Sequence, residues 1–260
     1  MLAMLLITND DGISDGLKIL LYAASKIDST ECIIPSRQRS AVSKSLIFHK
    51  PLRLSTEKIG KRNIHHLSGT PADCVLFALH KRKFLPSRPH LLLSGINLGS
   101  NISLHSIYSS GTVGACIEAA TYGLPAIAFS QHLYSKDWGE KKKIKDAKEV
   151  EKQILKIVRT VLKYGMPSGC DILNVNFPEK VKGAKIIICS PSMHRYTPTV
   201  LSRKHPYGVP YYWIVGKGYF HGDKGSDVEK LREGNITITP LSIQPTDEKM
   251  LLSARKLFEI

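Results

Sequence analysis

The apolar positions in the first half of the chain form short unbroken runs separated by stripes at helical spacing. Met4-Leu-Leu-Ile-Thr8 is almost wholly apolar, as expected of a central parallel strand covered on both faces. After a turn at Gly12, residues Gly16 to Ile27 read as a helix, and Cys32-Ile-Ile34 as the next strand, stopped by Pro35. Thr70-Pro-Ala-Asp73 opens another helix, with Thr as N-cap, Pro in the first position and an acid in the first turn. Ala72, Val75, Leu76 and Leu79 then give it one buried face. Leu91-Leu-Leu-Ser94 is a further buried strand. Val113, Cys116, Ile117 and Ala120 repeat the helical spacing, and Ala126-Ile-Ala-Phe129 repeats the strand. An amphipathic helix follows from about Ile144 to Tyr164, carrying Val150, Ile154, Ile157, Val158 and Val161. Such alternation predicts an α/β fold with a Rossmann-like, doubly wound, mostly parallel sheet over about residues 1–165.

The pattern changes after Gly165. Asp171 to Asn176, Lys185 to Cys189 and the period-two segment Asn235-Ile-Thr-Ile-Thr239 read as strands. Tyr207 to Phe220, rich in Tyr, Trp, Val, Gly and Pro, predicts a C-terminal hairpin arm within about 190–230. Asp247 to Ile260 is an amphipathic, helix-capable tail, about 245–260, that needs a surface to cover. With no internal repeat and no low-complexity linker, residues 1–260 read as one domain.

Composition narrows the class. The 42% hydrophobic and 23% charged content is that of a folded chain rather than a disordered one. No apolar run approaches the roughly 20 residues of a membrane helix, and the first residues reach Asp10 and Asp11 too soon for a signal peptide. Five widely spaced cysteines without a Cys-x-x-Cys pair fit reduced thiols, so the expected location is cytoplasmic. Asn101-Ile-Ser and Asn235-Ile-Thr match the glycosylation pattern by chance on this reading. The net charge of +15 suits a phosphorylated ligand or a nucleic acid alike, or simply a Lys-rich surface. The basic runs Lys81-Arg82-Lys83 and Lys141-Lys142-Lys143 lack interleaved aromatics, so nucleic acid is not the favoured partner.

In an open α/β sheet, ligands bind beyond the carboxyl ends of the strands. Beyond the first strand stand Asn9, Asp10 and Asp11. Adjacent carboxylates repel, no basic residue adjoins them, and a hard divalent cation would relieve the repulsion. The alternative is that one Asp caps the helix beginning near Asp15 while the other is solvated. The second strand leads into a loop of clustered hydroxyls and arginines, residues 35–45, suited to a phosphate or a metal-bound ligand, or simply a solvent-exposed connection. The strand at Ser94 leads into a glycine-framed loop in which Asn97 is a candidate neutral oxygen ligand, or part of an ordinary turn. Ser109-Ser110-Gly111-Thr112 opens a helix whose free amides suit a phosphate dianion, or is a plain Ser/Thr cap. Together these describe metal-assisted phosphoryl chemistry. No P-loop, dinucleotide fingerprint, His-Glu-x-x-His or nucleophile elbow competes with it.

These residues together resemble the stationary-phase survival protein SurE family of 5′-nucleotidases. Thr8-Asn-Asp-Asp-Gly12, Arg39-Ser-Ala41, Ser68-Gly-Thr-Pro-Ala-Asp-Cys-Val75, Ser94-Gly-Ile-Asn97 and Ser110-Gly-Thr-Val113 are similar to its blocks, in its order. Ile236 to Leu241 resembles its late strand. The resemblance implies one Mg²⁺ or Mn²⁺ held by Asp10, Asp11, Ser40 and Asn97, with the two aspartates catalytic. It also implies phosphate contacts from Asn9, Ser110, Gly111 and Thr112. The expected reaction is hydrolysis of a nucleoside 5′-monophosphate to nucleoside and phosphate, in a homo-oligomer, dimer or tetramer, assembled through arm and tail. The attacking group is a water or one of the aspartates, and the residues do not choose. The rivals are a polyphosphatase or nuclease on the same metal site, and a non-catalytic nucleic-acid-binding protein. One departure stands out: Ile102 to Tyr108 replaces the family's usual Gly and short loop, on the route to the phosphate site.

Overall fold

A computed structural model of the chain describes residues 4–60, 62–133, 143–193, 197–217 and 222–258. The first half supplies strands β1 (Leu5–Thr8), β2 (Thr30–Pro35), β3 (Leu54–Ile59), β4 (Arg62–Leu67), β5 (Leu91–Leu98) and β6 (Ala126–Gln131). Its helices are α1 (Asp15–Ala24), α2 (Pro71–His80), α3 (Ser103–Ser109) and α4 (Gly111–Thr121). The second half adds α5 (Ala147–Tyr164), β7 (Ile172–Phe177), β8 (Ile186–Ile188), β9 (Thr197–Lys204), β10 (Pro210–Lys217), α6 (Asp227–Arg232), β11 (Ile236–Leu241) and α7 (Glu248–Phe258).

The main sheet has the order β3-β4-β2-β1-β5-β6-β7-β11-β8. Among the described residues of this sheet, only β3 on β4 and β11 on β7 are antiparallel. Unbroken apolar strands follow from burial on both faces. Leu5, Ile7, Leu91, Leu93, Ile127 and Phe129 face one core with Leu17 and Leu20 of α1 and Val150 and Ile154 of α5. Their neighbours Leu6, Leu92, Ala126 and Ala128 face the other, with Val75 of α2 and Val113 and Cys116 of α4. Period-two alternation thus places every side chain of such a strand in one core or the other. Phe129 and Phe177 close the first core with nearly parallel rings, 6.1 Å between centroids.

Three readings of the sequence change here. The exposed β3 and its partner β4, which carries His65 and His66, add an antiparallel edge. Strand β5 runs on to Leu98, so Asn97 sits on a strand end and not in a loop. The segment after Asn101 folds as α3. Both strands of the hairpin, β9 and β10, lie within the expected arm, but Tyr207 is in the connecting turn, and Phe220 lies outside the described residues. Along the arm Trp213 and Ile214 are exposed, and α7 buries none of its residues. All five cysteines are free. Asn101 is buried, with its amide given to Ser130 Oγ.

Candidate active site

Strands β2 and β5 flank β1 on opposite sides, so the chain order reverses beside β1, where open α/β sheets form their ligand crevice. A cavity of about 1040 Å³ opens there, bordered by Asp10, Asp11, Ser40, Asn97 and Ser110 among others. Five of the eight expected site residues therefore border one cavity. Asn9 and Thr112 do not border it: both side chains are fully buried, and Asn9 Nδ2 donates to the Gly12 carbonyl at 2.6 Å. Gly111 lies just behind the wall. A Cβ there would stand 3.1 Å from Asp10 Oδ2 and 3.0 Å from the Arg39 carbonyl, so glycine lets the helix start approach the carboxylate without crowding it.

Neither aspartate caps α1. That role belongs to Ser14, whose hydroxyl accepts from Leu17 N–H. Asp10 is buried, and Thr112 donates to its Oδ1 at 2.7 Å. Burial, reinforced by the adjacent Asp11 charge, pushes the Asp10 carboxyl up to about 7, while the Thr112 hydrogen bond pulls it down. Asp11 accepts from Gln38 Nε2 at 3.0 Å and from Leu98 N–H at 3.3 Å. The Gln38 amide also reaches Ser40 Oγ at 3.3 Å, joining two expected ligands. Asn97 donates from Nδ2 to the Gly99 carbonyl at 2.7 Å, which leaves its Oδ1 as an oxygen able to ligate a cation. Ser110 Oγ accepts from Val113 N–H and its carbonyl from Gly114 N–H. Gly111 and Thr112 remain as amides with no partner inside α4.

The loop bearing Ser40 is clamped from three elements. Arg39 N–H donates to the Asp10 carbonyl, Ser43 N–H to the Ser109 carbonyl, and Thr70 Oγ1 to the Ser45 carbonyl. Lys44 pairs with the buried Glu118 of α4. Gly114 lets α4 lie against this loop, since a Cβ there would meet the Ser43 carbonyl at 2.2 Å.

The donor set is two carboxylates, a hydroxyl and an amide oxygen, which suits a hard divalent cation. Such a charge would also offset the Asp11 repulsion that adds to burial in lifting the Asp10 carboxyl. Asn9 Oδ1 and Arg39 Nε, beside this rim, are buried without hydrogen-bond partners, polar capacity that a bound ion or anion can use. Among the described residues no three His, Cys, Asp or Glu side chains group to hold a metal, so a softer nitrogen or sulfur site is not formed by them. The residues therefore fit Mg²⁺ or Mn²⁺. Gln38 escaped the sequence reading because a Gln in a Ser-rich loop carries no signal of its own. The cavity wall holds Asp10, Asp11 and Asp15 against Lys18 and Lys143, so it is not a basic groove.

Fold and site together define a doubly wound α/β protein with a carboxylate-centred polar cavity at its switch point. The family model described as Survival protein SurE matches residues 5–198. The chain belongs to that family. Its relatives include "5′-nucleotidase SurE" of Pyrobaculum arsenaticum, 39% identical over 97% of this chain and 93% of that one. The protein of the same name from Thermofilum pendens is 37% identical over 92% and 90%. The crystal structure of the SurE protein from Aquifex aeolicus superposes with a TM-score of 0.79 at 32% identity, over 98% of this chain and 99% of that one. No helix among the described residues is long and apolar enough to cross a membrane.

Proposed function

We propose that this protein is a divalent-metal-dependent 5′-nucleotidase, a phosphomonoesterase that converts nucleoside 5′-monophosphates to nucleoside and phosphate. The observation that supports the reading is that Asp10, Asp11, Ser40, Asn97 and Ser110 all border the same cavity. Asp10, Asp11, the Ser40 hydroxyl and the Asn97 amide oxygen hold Mg²⁺ or Mn²⁺. Bound there, the cation supplies positive charge to offset that on the phosphoryl oxygens as the ester breaks. Ser110 and the amides of Gly111 and Thr112 receive the remaining phosphate oxygens and orient the ester. Asn9 backs the turn that presents both aspartates. Gln38 and Thr112 hold the carboxylates in place.

The protein works as a homo-oligomer. An arm exposing Trp213 and Ile214 and a tail helix exposing Met250, Leu252, Leu257 and Phe258 are apolar faces that a second copy would cover. The expected location is the cytoplasm.

The test is phosphate release from AMP, GMP, 3′-AMP and polyphosphate with Mn²⁺, with and without EDTA. The reading requires EDTA-sensitive release from a 5′-monophosphate and its loss in Asp11→Asn. Wild-type turnover by that variant overturns the ligand assignment. Salt-sensitive RNA binding without any phosphate release overturns the activity.

A further inference from the structure

Asp227, at the start of α6, is fully buried and accepts three backbone hydrogen bonds from separate places in the chain. Its Oδ1 accepts from Ser192 N–H at 2.9 Å and Val228 N–H at 2.8 Å, and its Oδ2 from Ser103 N–H at 2.9 Å. The last bond matters most. Helix α3 has Ile102 in its capping position and no side-chain cap of its own. Its first amides are satisfied from elsewhere: Ser103 N–H by Asp227, and Leu104 N–H by the Ser192 carbonyl at 2.9 Å. A carboxylate distant in sequence thus does the work of an N-cap.

The other end of α3 is the site. Ser110 is at once the C-cap of α3 and the N-cap of α4, so no slack peptide separates the two helices. The Tyr108 carbonyl accepts from Ser43 Oγ at 2.6 Å and the Ser109 carbonyl from Ser43 N–H at 3.0 Å. A rod of about 10 Å therefore joins Asp227 to both the phosphate turn and the Ser40 loop.

We propose that Asp227 is a positioning residue for the phosphate turn: by capping α3 it sets where Ser109, Ser110 and the loop resting on them stand in the cavity. This rests on the 5′-nucleotidase reading and adds to it a residue that touches neither substrate nor metal. Ser192 and Met193, which lead toward the arm, also bond Asp223 and so belong to the same anchor.

The experiment compares Asp227→Asn and Asp227→Ser with Asp171→Asn. Asp171 is a control carboxylate that accepts from Ser242 Oγ and Ile243 N–H. The readouts are kcat and KM for AMP, calorimetric affinity for inorganic phosphate in the presence of Mn²⁺, Mn²⁺ affinity and melting temperature. The Asp227 variants should raise KM and weaken phosphate binding together by about tenfold, with Mn²⁺ affinity changed less than threefold. Asp171→Asn should lower the melting temperature and leave both phosphate readouts within twofold. The proposal is overturned when the Asp227 variants melt earlier with phosphate readouts intact, when Asp171→Asn shifts them equally, or when neither Asp227 variant folds. Should wild type release no phosphate from AMP, the nucleotidase reading fails alone, and calorimetric phosphate affinity still decides the role of Asp227.

Discussion

Thr112 Oγ1 donates to Asp10 Oδ1 at 2.7 Å across 102 residues of chain, with both side chains buried. One oxygen of the carboxylate is thereby fixed, and the other is left toward the Gly111 cradle. A hydrogen bond to a charged group contributes about 1.5–3 kcal/mol. Thr112→Val keeps the shape and removes the donor. It should fold, and the Mn²⁺ concentration for half-maximal activity should rise about tenfold, since each 1.4 kcal/mol is a factor of ten. A Mn²⁺ titration of phosphate release checks this.

Gln38 joins Asp11 to Ser40 from an exposed position, so removing it costs little stability. Partners behind metal ligands commonly account for 10–100-fold in affinity. Gln38→Ala should therefore weaken Mn²⁺ binding about tenfold by calorimetry, with the melting temperature nearly unmoved. An equal drop in melting temperature without loss of affinity counts against the ligand set.

Gly114→Ala tests the clamp on the Ser40 loop. The added Cβ meets backbone at 2.2 Å, and the Ser43 carbonyl cannot rotate away as a side chain would. Overpacking of this kind costs about 1–3 kcal/mol. The variant should melt earlier and lose more kcat/KM than a surface variant of equal stability loss.

Much of the fold was legible because strands covered on both faces leave a plain signature: Leu5 to Ile7 and Leu91 to Leu93 are apolar without a break. Strand β3 was not legible, since Leu54-Ser-Thr-Glu-Lys-Ile59 is exposed throughout and gains its structure from pairing with β4. Helix α3 was hidden for a similar reason. Only Ile107 of its residues is buried, and its cap comes from Asp227, which no local pattern reveals. At the site, residue types at strand ends pointed to Asp10, Asp11 and Asn97. The tie between Gln38 and Ser40 and the Thr112 bond exist only in three dimensions.

Asp146 offers a pH test outside the cavity. Its carboxylate accepts from Val181 and Lys182 N–H, and these bonds, the Lys182 one foremost, hold its carboxyl below the usual range. A carboxylate depressed in the folded state adds stability above its unfolded value near 4, and that stability is lost as pH falls through the folded value. The gap in melting temperature between wild type and Asp146→Ala should thus be largest at pH 6 and close as pH drops toward 3.

The exposed aromatic arm carries the oligomer prediction. Trp213→Ser together with Ile214→Ser should give a smaller particle by light scattering, because the cavity-bearing sheet does not need the arm for its own cores. An unchanged particle size assigns assembly to other surfaces.

Ser110 closes one helix and opens the next, and this has a consequence for redesign. Extra residues inserted near the phosphate turn have nowhere to bulge and would twist the turn itself. At the opposite end Ser103 N–H and Leu104 N–H are held by Asp227 and the Ser192 carbonyl, so the rod is pinned at both ends. Attempts to widen the cavity for bulkier esters should trim side chains along its lining and leave the length of chain on either side of the rod unchanged.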